Sequence, residues 1–129
     1  MTSDGRRRTA STTLAALLLA AGTTHLLRPA PFDRIVPSAL PGGARFWTLT
    51  SGVGELLLGA GLLHPRSRRR SGEAAALFFV AVLPANGKMA LDAHRRGASR
   101  AWRWGTLARL PLQAVLVGWA LRAAEEGRP

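Results

Sequence analysis

The sequence predicts an all-α fold, an integral membrane four-helix antiparallel bundle formed as one domain over residues 1–129, with a proline-rich loop between the first and second helices. Three observations predict it. Apolar residues make up 47% of the 129 and are bunched into blocks separated by arginine clusters. The blocks lack the polar face that every helix of a soluble bundle must keep in water. Four of them, at 10–27, 46–63, 74–91 and 105–121, have about the length that a hydrocarbon core of about 30 Å requires.

The first span falls largely within "RRRTASTTLAALLLAAG", which also has the basic start and short apolar run of a secretory signal peptide. A retained helix is the preferred reading, because apolar character continues past the small residues through Leu26 and Leu27. Residues 28–45, "RPAPFDRIVPSALPGGAR", carry four prolines and a Gly-Gly pair, which excludes continuous helix. The apolar Phe32, Ile35, Val36 and Leu40 place this loop on the bundle mouth or in the interface. In the second span, Ser51 and Gly59 flank Glu55 at i−4 and i+4, a small polar stripe that lets another helix approach.

The basic turn "HPRSRRRSGE" at 64–73 forces the second and third helices to run antiparallel. Pro84 kinks the third span, releasing the Val80 carbonyl and giving the Asn86 amide room to reach inward. Asn86 and Lys88 point about 200° apart, so Lys88 snorkels to the headgroups while Asn86 faces the interior. The fourth span is interrupted by Arg109 and Pro111, so its insertion depends on the other helices.

The net charge of +11 comes from 17 arginines and one lysine. These cluster at the ends of apolar runs, which fits anchoring to anionic lipid headgroups and argues against nucleic acid as a partner. Nine arginines flank the side carrying both termini and seven the other, favouring cytoplasmic termini. Trp47, Trp102, Trp104 and Trp119 fit an interfacial aromatic belt. With no cysteine, the chain has no disulfide, thiolate metal site, iron–sulfur ligation or covalent haem attachment, and its histidines lack metal-ligand spacing; no cofactor is expected.

Alternating helix direction brings His25, Glu55, Asn86, Arg109 and Gln113 to one half of the bilayer, beneath the proline-rich loop. Arg109 and Gln113 are four apart and share a helix face. A lone acid or arginine at depth costs about 2.5–3.5 kcal/mol, so Glu55 and Arg109 are expected to pair. That pair can be a bridge that fixes helix register or a ligand or proton site. His25 reads as an interfacial or hydrogen-bonded histidine before a ligand. His64 and His94, beside arginines at helix ends, read as solvated.

Three blocks, "AGTTHLLRPAPFDRIVPSALP" at 21–41, "SGVGELLLGAGLL" at 51–63 and "VLPANGKMALDA" at 82–93, resemble the DoxX-like family of small bacterial membrane proteins. The matching positions are His25, Pro29, Phe32, Pro37 and Pro41 in the first block, Gly52 and Glu55 in the second, and Pro84, Ala85, Asn86 and Met89 in the third. The resemblance implies a four-helix bundle in the cytoplasmic membrane with both ends cytoplasmic. The family is named for a small subunit of an archaeal thiosulfate:quinone oxidoreductase and some relatives are associated with membrane oxidoreductase assemblies, while most members have no assigned activity. Leu26, where the family often has an aromatic residue, and Gly87 and Lys88, in place of larger apolar residues, depart from its pattern.

The leading expectation is an accessory or scaffold subunit beside a membrane oxidoreductase, with a polar intramembrane pocket and no catalysis of its own. The alternative is a small-molecule transporter or binder built on a Glu55/Arg109 pocket; basic loops and a paired glutamate count against a cationic substrate. Catalysis by Glu55 with His25 on a lipid or quinone is a third reading, for which sequence supplies no geometry.

Overall fold

A computed structural model describes residues 8–129. Arg6 and Arg7, counted above among the arginines flanking the termini, lie outside the described residues. The described chain is all-helical and contains no strand. Its helices are α1 (Thr9–Leu27), the short α2 (Ala30–Asp33), α3 (Ala44–Leu63), α4 (Arg68–Ala81), α5 (Leu83–Arg95) and α6 (Arg100–Glu125). Three stretches are long and apolar enough to cross a membrane: Thr9–Leu27, Ala44–Leu63 and the α4–α5 stretch Arg68–Arg95. The 26-residue α6 is long enough, but Arg100, Arg103, Arg109 and Arg122 dilute its apolar character.

The α4–α5 break falls at Val82, two residues before Pro84, which has no N–H to continue the ladder. Pro111, by contrast, leaves α6 unbroken. Ser99 starts α6, its hydroxyl accepting from the Trp102 N–H at 3.2 Å, as an N-cap residue does. On the exposed face of α1, the hydroxyls of Thr13, Thr23 and Thr24 donate back to carbonyls four residues earlier, at 2.7–2.8 Å. Such internal satisfaction is what a lipid-facing hydroxyl requires.

α1 packs most extensively on α3, and α4 on α6; α1 also meets α6, and α3 meets α4. α3 and α6 make no substantial contact. The contacts are close because small residues remove side chains from them. A Cβ on Gly22 would come within 2.7 Å of the Gly52 carbonyl oxygen. One on Gly72 would meet the backbone of Ala124 at 2.6 Å. The densest core, Leu14, Ala15, Leu18, Leu62, Ala75 and Ala123 among others, gathers toward the end that carries both described termini.

That end is also capped. The Glu126 carboxylate accepts from the free N–H groups of Ala10 and Ser11 at 3.1 and 2.9 Å, so the end of the chain caps the start of α1. The buried Arg68 donates to the carbonyls of Leu62 and Leu63 at 3.0 and 3.4 Å, closing the C-terminus of α3 with a positive charge.

Candidate functional site

At the opposite end the helices separate around a cavity of 280 Å³. The loop lies over it. Phe32, Ile35 and Val36 line the cavity, whereas Leu40 is exposed. Three contacts fix the loop: Arg45 Nε to Asp33 Oδ2 at 2.9 Å, Trp47 Nε1 to the Pro41 carbonyl at 2.6 Å, and Lys88 Nζ to the Arg34 carbonyl at 3.3 Å. Lys88 also meets Asp92 at 2.6 Å. Its ammonium therefore serves the loop and its own helix, where the sequence suggested headgroups. The Thr48 hydroxyl first, and then Arg45, hold the Asp33 carboxyl below its ordinary value against the opposing effect of desolvation.

His25, Glu55, Asn86, Arg109 and Gln113 all line this cavity. They divide into two groups. Asn86 Nδ2 donates to Gln113 Oε1 at 2.9 Å, and Gln113 Nε2 donates to the Phe79 carbonyl at 2.7 Å. This chain of amides spans the interruption at Val82: Gln113 of α6 takes up a carbonyl just ahead of the break, Phe79's and not that of Val80.

The second group is His25 with Glu55, and here the expected pairing is corrected. The acid's basic neighbour is the His25 ring, with Nδ1 2.9 Å from Oε2. No ion pair joins Glu55 to Arg109 among the described residues. The reason is lateral placement. Arg109 stands on α6, which makes no substantial contact with α3, whereas α1 lies directly against α3. Arg109 is exposed at the cavity rim, and its Nη1 lies 3.8 Å from Met89 Sδ.

The Gly22–Gly52 crossing makes the pair possible. His25 and Glu55 each follow a crossing glycine by three residues, so both side chains emerge beside the point of closest approach. That signal, G-x-x-H in one apolar run and G-x-x-E in the next, was present in the sequence. Phe32 stacks on the His25 ring with centroids 3.8 Å apart, joining loop to site. His25 Nδ1 also lies 2.8 Å from the Ala21 carbonyl. A carbonyl only accepts, so Nδ1 carries a proton and directs it there. Glu55, 7% exposed, is thereby left with Oε2 in contact with the ring but without an aligned donor.

Two other buried atoms lack an aligned partner, Asp33 Oδ1 and Thr48 Oγ1. They belong to the contact between the loop and α3, where the hydroxyl is close enough to act on the carboxyl. Of the tryptophans, Trp102 and Trp104 are exposed near the start of α6. Trp47 lines the cavity and Trp119 packs against the core. No cluster of three or more histidine or acidic residues able to hold a metal occurs among the described residues.

Residues 14–124 match a family described as a domain of unknown function, DUF8561, and the chain belongs to that family. No curated protein and no solved structure matches it.

Proposed function

We propose that this chain is a small integral protein of the bacterial cytoplasmic membrane, an accessory or scaffold subunit that holds a small lipid-soluble ligand in the cavity beneath its loop. In this reading α6 inserts beside the three more apolar stretches to complete a four-helix antiparallel bundle with cytoplasmic termini. Three membrane-length helices and the back-bonded threonines support it. The observation that carries the pocket is Glu55, an acid buried to 7% exposure that lines the cavity while its Oε2, covered by the His25 ring, has no aligned donor. Burying such a group without a partner is costly, and a ligand relieves that cost.

The resemblance of three sequence blocks to the DoxX-like family favours a membrane oxidoreductase as the partner. A chain without cysteine brings few redox ligands of its own, which also suits an accessory role. Purification in mild detergent from the native membrane tests the partnership. Recovery with an oxidoreductase supports it; recovery of the chain alone contradicts it.

A second reading, a transporter, is favoured by one observation: Glu55 faces a titratable histidine and not a permanent guanidinium, so its charge can be relieved. If uptake or resistance phenotypes persist unchanged in Glu55→Gln, that reading fails.

A further inference from the structure

Resting on the pocket reading above, we infer that the cavity's ligand is a neutral, lipid-soluble aromatic compound bearing a hydroxyl donor, which it directs to the Glu55 carboxylate.

The walls set the body of this ligand. Leu17, Leu18, Leu112 and Leu116 line the cavity with Phe78 and Phe79, so most of what the ligand touches is apolar. Phe32 and Trp47 add aromatic surface on the loop side, where the stacked His25 ring lies. Flat rings fill such space with little loss of conformational freedom and gain from stacking beyond their buried area. A dry apolar cavity of about 150 Å³ accepts benzene, and 280 Å³ therefore accommodates a two-ring system.

The polar groups set its head. Asn86 and Gln113 satisfy one another and Phe79, so they ask little of a ligand. The His25 Nδ1 proton is committed to Ala21. Of the other polar groups on the wall, Thr48, Ser51 and Arg109 lie with Glu55, and Glu55 is the one acid among them, which can only accept while ionised. A ligand group that donates meets this need; one that only accepts, such as an ether, ester or ketone oxygen, would set lone pair against lone pair.

Charge excludes the other donors. An ammonium would suit the carboxylate, but with Arg45 and Lys88 matched by Asp33 and Asp92, Arg109 on the cavity wall and Arg34 on the loop above it remain as excess positive charge. These repel a cation on its way in. An anion passes the arginines and then meets the carboxylate. A neutral hydroxyl on an apolar ring avoids both conflicts, and it reaches the site through the lipid.

The test uses the full chain in lipid nanodiscs, with protein-free nanodiscs giving the partition background. The probes are 2-naphthol, which carries the donor; 2-methoxynaphthalene and naphthalene, which do not; and 2-naphthylmethylammonium. We expect saturable binding of 2-naphthol about tenfold tighter than either donor-free probe, the value of one hydrogen bond to a charged acceptor. The preference should fall to about threefold or less in Glu55→Gln and vanish in Glu55→Leu. The methyl ether keeps the comparison decisive in the unmutated chain even if a variant fails to fold. Equal binding of 2-naphthol and its methyl ether, or a preference that survives in Glu55→Leu, overturns the inference while leaving a pocket. Tightest binding of the ammonium also overturns it, in favour of a cation site. Saturable binding of none of the four overturns the pocket reading as well.

Discussion

At the end that carries both described termini, α4 and α6 touch through backbone; beneath the loop, α1 and α3 do so at Gly22 and Gly52, but the helices around them part to enclose a cavity. Gly72 sits so close to Ala124 that a Cβ would overlap its backbone, and Glu126 and Arg68 satisfy helix ends that would otherwise be left open. The loop end has no comparable closure. Its polar side chains satisfy one another in part, leave Glu55 incompletely partnered, and surround 280 Å³ of space. The contrast teaches how a small membrane protein can carry an open site: close packing at one end holds the helices, and the other end is free to stay unsatisfied.

Substitutions at the two ends should therefore differ. Gly72→Val places a branched side chain against α6 backbone that cannot yield. It should cost about 3 kcal/mol, read as unfolding in mixed detergent micelles by circular dichroism. Gln113→Leu, at the cavity but structural by its bonds, should cost about 2 kcal/mol because it strands the Phe79 carbonyl and the Asn86 amide. Glu126→Ala should cost about 1 kcal/mol, with exchange of the Ala10 and Ser11 amides rising first. Glu55→Gln should change stability by less than about 1 kcal/mol, since the amide keeps the shape of the acid while removing its buried charge. A cost for Glu55→Gln equal to that of Gly72→Val would erase the distinction between the two ends.

The smallest effect concerns the loop. Asp33 has a folded-state value lowered from 3.8. Its contribution is thus fully present above 3.8 and lost only as pH falls through the still lower folded value. Amide exchange across residues 28–43 should be insensitive to Asp33 from neutral pH down to about 5 and rise only in stronger acid.

What could be read from the sequence, and what could not, divides along physical lines. Apolar runs show where helices lie, and proline at 84 shows where one breaks, because both are local. Depth is nearly as accessible: alternating direction puts His25, Glu55, Asn86, Arg109 and Gln113 at one level, and all five line one cavity. Azimuth is not local. Which helix neighbours α3 depends on the whole assembly, so sequence alone points to the arginine at the right depth, whereas the histidine on the adjacent helix is the residue beside Glu55. The Glu126 cap on α1 was invisible for the same reason, since it joins residues more than a hundred positions apart.

The account rests on an acid and a histidine facing each other inside a membrane, and a dipolar-recoupling solid-state NMR measurement on the chain in lipid bilayers reads this directly. With ¹⁵N-histidine and ¹³C-glutamate labels, the His25 Nδ1 signal should be strongly dephased by the Glu55 carboxyl carbon, while a matching ¹⁵N-arginine sample should show no coupling from Arg109. Coupling of Glu55 to Arg109, or to neither residue, would contradict it.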